Sequence, residues 1–227
     1  DRLPDTPKYT LSQPASHCPK CEFKIRWYHN IPVFSWLALK GKCSGCKSRI
    51  SVRYPFVEAL TMVLSLAVAF KFGFTLTTLF AIIFTHVTIA IFFIDFDHMI
   101  IPDRLVFPLI GLGLLINSQS LFVSPQMAIY GAVIGFLSLW IIYIIMKLLT
   151  GKEGMGYGDF KYLCAIGAWF GPLILHHIFI ISALSALAFV VACTIIHKMK
   201  GDTSQPMRVI AFGPHLAIAA WIVLITL

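Results

Sequence analysis

From Pro55 onward the chain is a succession of apolar stretches, at roughly 56–72, 74–94, 104–118, 127–149, 160–171, 173–196 and 207–227, separated by short polar links. A helix crossing a bilayer needs about 20 apolar residues, and in lipid each backbone polar group must be paired within the segment. The expected fold is therefore an all-α polytopic membrane protein with about seven spans. Composition agrees: 58% of the 227 residues are hydrophobic and 12% are charged, against about 25% charged in soluble domains. The 160–171 stretch, closed by Phe170-Gly171-Pro172, is short and is expected to tilt or to be partly re-entrant. No internal repeat is evident in the body.

Residues 1–54 are different. They hold ten of the eighteen Lys and Arg residues against three acids, a net +7. The expected division is a polar head, 1–54, on an apolar body, 55–227. A basic head can signal nucleic acid, but this one has no recognition helix and no aromatic platform for single strands. Lys and Arg gather on the cytoplasmic side of membrane proteins. The links at 147–161 and 198–208 are also basic, whereas those near Lys71 and Asn117 carry one Lys in all. Head, basic links and the 95–103 link are thus expected on the cytoplasmic face of the membrane, with Leu227 outside.

Four of the six cysteines lie in the head as Cys18-Pro19-Lys20-Cys21 and Cys43-Ser44-Gly45-Cys46. Each tight turn presents two thiolates on one side, and two such turns suit a tetrahedral Zn2+. Two disulfides or a redox pair are the rival readings; a cytoplasmic head argues against the first and the lack of a βαβ pattern against the second. Four thiolates leave no open position, so the metal would be structural. His17 and His29 are expected to be surface residues, the aromatic run 27–37 to pack on the knuckles or the membrane interface, and Cys164 and Cys193 to be small buried hydrophobes.

Seven acids lie beyond the head: Glu58, Asp95, Asp97, Asp103, Glu153, Asp159 and Asp202. Acids at membrane depth are costly and mark functional sites. Glu153 and Asp202 sit in basic links and read as solvated. Asp103, after Ile101-Pro102, reads as a helix N-cap. Glu58 is expected to pair with Arg53 or to line a polar cavity. Asp159 closes Gly154-Met155-Gly156-Tyr157-Gly158-Asp159, whose glycines let backbone approach another surface closely; it is either an N-cap or a working group. Its candidate partners, Asp95 and Asp97, end another span on the same side. Two carboxylates that meet there can serve as acid and base around a water.

Together these residues resemble the bacterial type IV prepilin peptidases. The resemblance rests on the paired cysteines, Arg53-Tyr-Pro-Phe-Val-Glu58, Ile94-Asp95-Phe-Asp97-His98-Met-Ile-Ile-Pro102-Asp103, Gly154-Met-Gly-Tyr-Gly-Asp159-Phe-Lys161 and Phe212-Gly-Pro-His215, and it runs over nearly the whole chain. It implies an intramembrane aspartic endopeptidase that removes the basic leader of type IV prepilins or type II secretion pseudopilins at a Gly–Phe-type bond. It also implies methylation of the new N-terminus from S-adenosylmethionine in many members. The catalytic pair it implies is Asp95 and Asp159, since Asp95 stands seven residues before Pro102. Gly156, Gly158, Asp97, Asp103, Lys161 and Glu58 would support them, and Cys18, Cys21, Cys43 and Cys46 would hold zinc. Members begin with a further span ending in a motif like Arg2-Leu3-Pro4, which would make eight. The competing readings are a zinc-headed scaffold and a transporter relaying protons.

Overall fold

The structure, a computed structural model, describes residues 16–151, 155–199 and 210–227. The Arg2-Leu3-Pro4 segment, Gly154 and the linker acids Glu153 and Asp202 lie outside the described residues. Backbone packing divides the chain into two compact units, Asp1–Leu64 and Ser65–Leu227.

In the first unit the two cysteine turns are built alike. Each first cysteine donates its N–H to the carbonyl five residues on, Cys18 to Phe23 at 3.0 Å and Cys43 to Ser48 at 2.8 Å. Isolated bridges pair His17 with Lys24 and Lys42 with Arg49, the second repeating the first at matching positions. Glu22 (φ +55°) and Lys47 (φ +59°) take the left-handed conformation at equivalent places. The doubled C-x2-C motif expected from the sequence is thus two knuckles of the same backbone geometry. Between them lie a 3-10 turn, Trp27–Asn30, and a short helix α1, Phe34–Ala38; α2, Arg53–Phe72, follows.

The second unit contains α3 (Leu76–His98), α4 (Asp103–Asn117), α5 (Pro125–Thr150), α6 (Tyr157–Phe170), α7 (Leu175–Met199) and α8 (Gly213–Thr226), with a 3-10 turn, Pro172–Ile174, leading into α7. All seven expected apolar stretches are helical. By length and composition, however, only Arg53–Phe72, Leu76–His98, Pro125–Thr150 and Pro172–Met199 can cross a membrane among the described residues. α4, α6 and α8 have 15, 14 and 14 residues.

Local chemistry sets these limits. Thr75 caps α3 by accepting the Thr78 N–H. Pro102 bars helix at the residue before it, so α4 starts only at Asp103. Gly171, at φ +78°, stops α6 in a conformation that a side chain resists.

The short α6 is the centre of the bundle: ten of its fourteen residues are buried, so it needs no lipid-facing length. Its closest neighbour is α5. Gly131 and Gly135, four apart in an apolar helix, let the two backbones touch; a β-carbon at Gly167 would land on the Gly131 carbonyl, and the converse holds. Asn117, fully buried, fixes the far end of α6. Its Nδ2 donates to the carbonyls of Ala168 and Trp169, both at 2.9 Å, and its Oδ1 accepts from the N–H groups of Phe122 and Val123. Trp169 Nε1 donates to the Leu109 carbonyl at 2.8 Å, and Tyr162 OH to Thr88 Oγ1 at 3.3 Å. These bonds tie α6 to α4 and α3 and pair the buried polar atoms of Asn117, Trp169 and Tyr162.

Candidate active site

Asp95 lies in the last turn of α3. That helix closes where the Met99 N–H meets the Asp95 carbonyl at 2.8 Å, with Met99 itself left-handed (φ +54°). The Asp95 side chain is 5% exposed, whereas Asp97, two residues on and therefore on another face, is exposed. Asp95 Oδ2 accepts the N–H of Gly213 at 3.0 Å, in a buried bond across 118 residues of sequence. Gly213 is the first residue of α8, so the carboxylate meets the positive end of that helix.

Asp159, 8% exposed, is the third residue of α6. It is not the N-cap: Gly156 occupies that position, and no side chain caps the helix. The glycine box instead carries Asp159 into the first turn, where its side chain faces the protein. A β-carbon on Gly156 would stand 3.6 Å from Asp159 Oδ2. Asp159 lies within Coulombic reach of Asp95. The two buried acids thus come from separate helix ends, those of α3 and α6, at the same end of the bundle.

Ile101, buried in the link between α3 and α4, bridges the two sides. A methyl on Gly158 would stand 2.9 Å from Ile101 Cβ; on Gly213 it would stand 2.9 Å from Ile101 Cδ1 and 2.5 Å from Asp95 Oδ2. Neither Ile101 nor Gly213 stood out as a site residue in the sequence. Gly213 contributes a backbone N–H, which residue type does not advertise, although its place in Phe212-Gly-Pro-His215 was a signal.

The supporting residues separate into groups. Asp103 is not an N-cap either; Pro102 holds that position because the proline ring already fixes the entry angle. Asp103 binds Lys161 through both oxygens, at 2.7 and 2.9 Å. Glu58 belongs to the head, where Oε2 accepts the Val33 N–H at 2.7 Å. Val33 stands at φ +62°, in a tight turn closed by Phe34 N–H to Pro32 O at 2.6 Å, a strained conformation for a β-branched residue. His98 is exposed at the end of α3, while His215 is buried, with Nδ1 3.0 Å from Ser185 Oγ.

In the head the four expected cysteines are free thiols that converge, with every pair of sulfurs within 4.8 Å and two pairs at 4.0 Å. Zinc–sulfur bonds of about 2.3 Å in a tetrahedron put sulfurs about 3.8 Å apart, so the cluster fits such an ion with little adjustment. Hydrogen bonds with Ser48, side chain first and backbone second, lower the Cys46 thiol to about 6. The Cys21 thiol is instead pushed up to about 11: its backbone bond with Phe23 lowers it, but desolvation and the neighbouring thiols outweigh that bond.

Comparison with known proteins agrees with this arrangement. Residues 1–72 match the bacterial peptidase A24 N-terminal domain, which spans the cysteines, and residues 82–191 match the type IV leader peptidase family, which spans both buried aspartates. The prepilin leader peptidase/N-methyltransferase of Stutzerimonas stutzeri is 46% identical over 217 residues, covering 96% of this chain and 73% of the relative. That of Dichelobacter nodosus is 47% identical over 221 residues (96% and 74%), and that of Neisseria gonorrhoeae 44% over 215 (95% and 72%). No solved structure matches the chain. With four helices of membrane-spanning length among the described residues, two buried carboxylates, and relatives this similar along nearly its whole length, the chain belongs to the type IV leader peptidase family.

Proposed function

We propose that this protein is a membrane-embedded aspartic endopeptidase that removes the basic leader from type IV prepilins or type II secretion pseudopilins, with Asp95 and Asp159 as its catalytic pair. The observation that carries this reading is the approach of two buried carboxylates from the ends of α3 and α6, while Asp97 stays exposed. One carboxylate takes a proton from a water held between them as that water attacks the scissile carbonyl, while the other acid donates its proton to the carbonyl oxygen. As the intermediate collapses, the first acid passes the water's proton to the departing amide nitrogen and the second takes its proton back from the hydroxyl. The substrate's apolar helix docks among the spans and its leader lies at the cytoplasmic face. Extended backbone at that depth is tolerated where it lines a wet cavity, so this mechanism requires water to reach the site. Both acids lie in terminal helix turns, whereas a proton-relaying transporter would place them at mid-span. A scaffold would have no use for the pair.

The test is leader release from a peptide with a basic leader, Gly-Phe and an apolar helix. Asp95→Asn and Asp159→Asn should each abolish release in folded, membrane-inserted protein, and Asp97→Asn should retain it. Release by Asp95→Asn with Asp97→Asn inactive would overturn the assignment.

A second activity, methylation of the new N-terminus, is supported by the head. Its four cysteines suit a structural zinc. Beside Cys18 and Cys43 lies a cavity of about 350 Å3 lined by Phe23, Trp36, Tyr54, Lys20, Arg49 and Glu58, within the roughly 300–1,000 Å3 usual for small-molecule sites. Aromatic faces for an adenine, cations for a carboxylate and an acid for a sulfonium fit S-adenosylmethionine, which supplies the methyl group when bound. Equilibrium binding of radiolabelled S-adenosylmethionine, compared between the protein and Arg49→Ala, tests the site without a turnover assay.

A further inference from the structure

Between the two carboxylates every mechanical link is short, and one side chain occupies the middle. Asp95 is held by the Gly213 N–H. Gly213 abuts the Cδ1 end of Ile101, and the Cβ end of Ile101 abuts Gly158, which precedes Asp159. Ile101 is 8% exposed, although Met99 and Ile100 just before it are exposed. Its direction is constrained twice: Pro102 restricts its backbone to extended conformations, and branching at Cβ stiffens χ1. Neither glycine can take a β-carbon without moving it, so the contacts on both sides are already closed.

We propose that Ile101 is a positioning residue for peptide cleavage: its side chain, clamped between Gly158 and Gly213, is the spacer that sets the separation of Asp95 and Asp159. The proposal rests on those two residues being the reacting pair. A spacer differs from ordinary core filling in what its loss does. A filler lost from the core lowers stability and scales down the folded fraction. A spacer of the wrong length leaves folded enzyme that binds substrate normally and cleaves it slowly, because a small misplacement at the reacting atoms is amplified in the transition state.

The experiment uses the full chain in lipid nanodiscs with the leader–Gly-Phe–helix peptide, and compares Ile101→Val and Ile101→Leu with the parent. Valine keeps the β-branch but removes the atom that reaches Gly213; leucine keeps the volume and moves the branch. Each is expected to lower kcat at least tenfold while KM stays within twofold and the folded fraction by size exclusion is unchanged. Unchanged kcat in both variants, or a kcat loss that only follows loss of folded protein, would overturn the proposal. Asp95→Asn and Asp159→Asn are measured alongside. If they still cleave, the pair itself is wrong; if they are inactive while the Ile101 variants match the parent, only the spacer fails.

Discussion

Lys161 Nζ sits 2.7 Å from one carboxylate oxygen of Asp103 and 2.9 Å from the other, joining the first residue of α4 to α6 two residues past Asp159. The pair is partly open to solvent, with the lysine 28% and the aspartate 52% exposed. Exposed ion pairs contribute about 0–1 kcal/mol. Asp103→Asn and Lys161→Gln should each destabilise the protein by no more than about 1 kcal/mol, less than additively when combined, and the effect should shrink with added salt. A double-mutant cycle on thermal unfolding in detergent measures the coupling.

Asn117, itself fully buried, is the opposite case, because its four partners are backbone groups: two buried carbonyls and two part-buried N–H groups. Truncating it leaves two carbonyls and two N–H groups without their partner. Asn117→Ala should destabilise the body by about 2–4 kcal/mol, seen as a fall in unfolding temperature and faster thermal inactivation, although the residue lies at the end of α6 remote from Asp159.

Glycines in the body differ sharply in what they tolerate. A β-carbon at Gly167 would occupy the Gly131 carbonyl, whereas one at Gly111 meets nothing within 4 Å. Gly167→Val should abolish a monodisperse, protease-resistant protein. Gly111→Ala should be neutral or stabilising by about 0.5–1 kcal/mol, since it removes backbone freedom from a helix interior.

For the head, metal removal should unfold the cysteine knuckles while the body helices persist. A unit this small has little core of its own. Protease cleavage within residues 16–50 after chelation, with helical circular dichroism largely retained, is the expected result. Protons compete with the metal for the thiolates. Because Cys46 is lowered to about 6, its thiolate is present at neutral pH and lost on acidification through that value. Zinc should therefore be released as pH falls, not as it rises, which a chromophoric chelator can follow.

The helical body, the four cysteines and Asp159 could be read from residue type and spacing, since hydropathy and thiol spacing are local signals, whereas the choice of Asp95 over Asp97 came from the family resemblance. What escaped was what depends on neighbours distant in sequence. The buried partner of Asp95 is a backbone N–H at Gly213, and the Ile101 contacts depend on how three helix ends converge. Asp103 and Asp159 each fell one or more positions inside the expected cap, because Pro102 and Gly156 already satisfy the chain entry. The central place of α6 had a signal that went unused: small and aromatic residues on every side, with few long aliphatics to face lipid.

At fourteen residues α6 is too short to enter the bilayer independently, as a helix of full spanning length can. Its lodging depends on α4 and α5 being present to receive it, through Asn117, Leu109 and the Gly131 contact. Asp159 is therefore delivered by tertiary closure and not by insertion. With Asp95 and Asp159 as the proposed reacting pair, a newly made chain would carry its longer helices in the membrane before that pair was assembled, and the onset of proteolysis would be coupled to completion of the bundle.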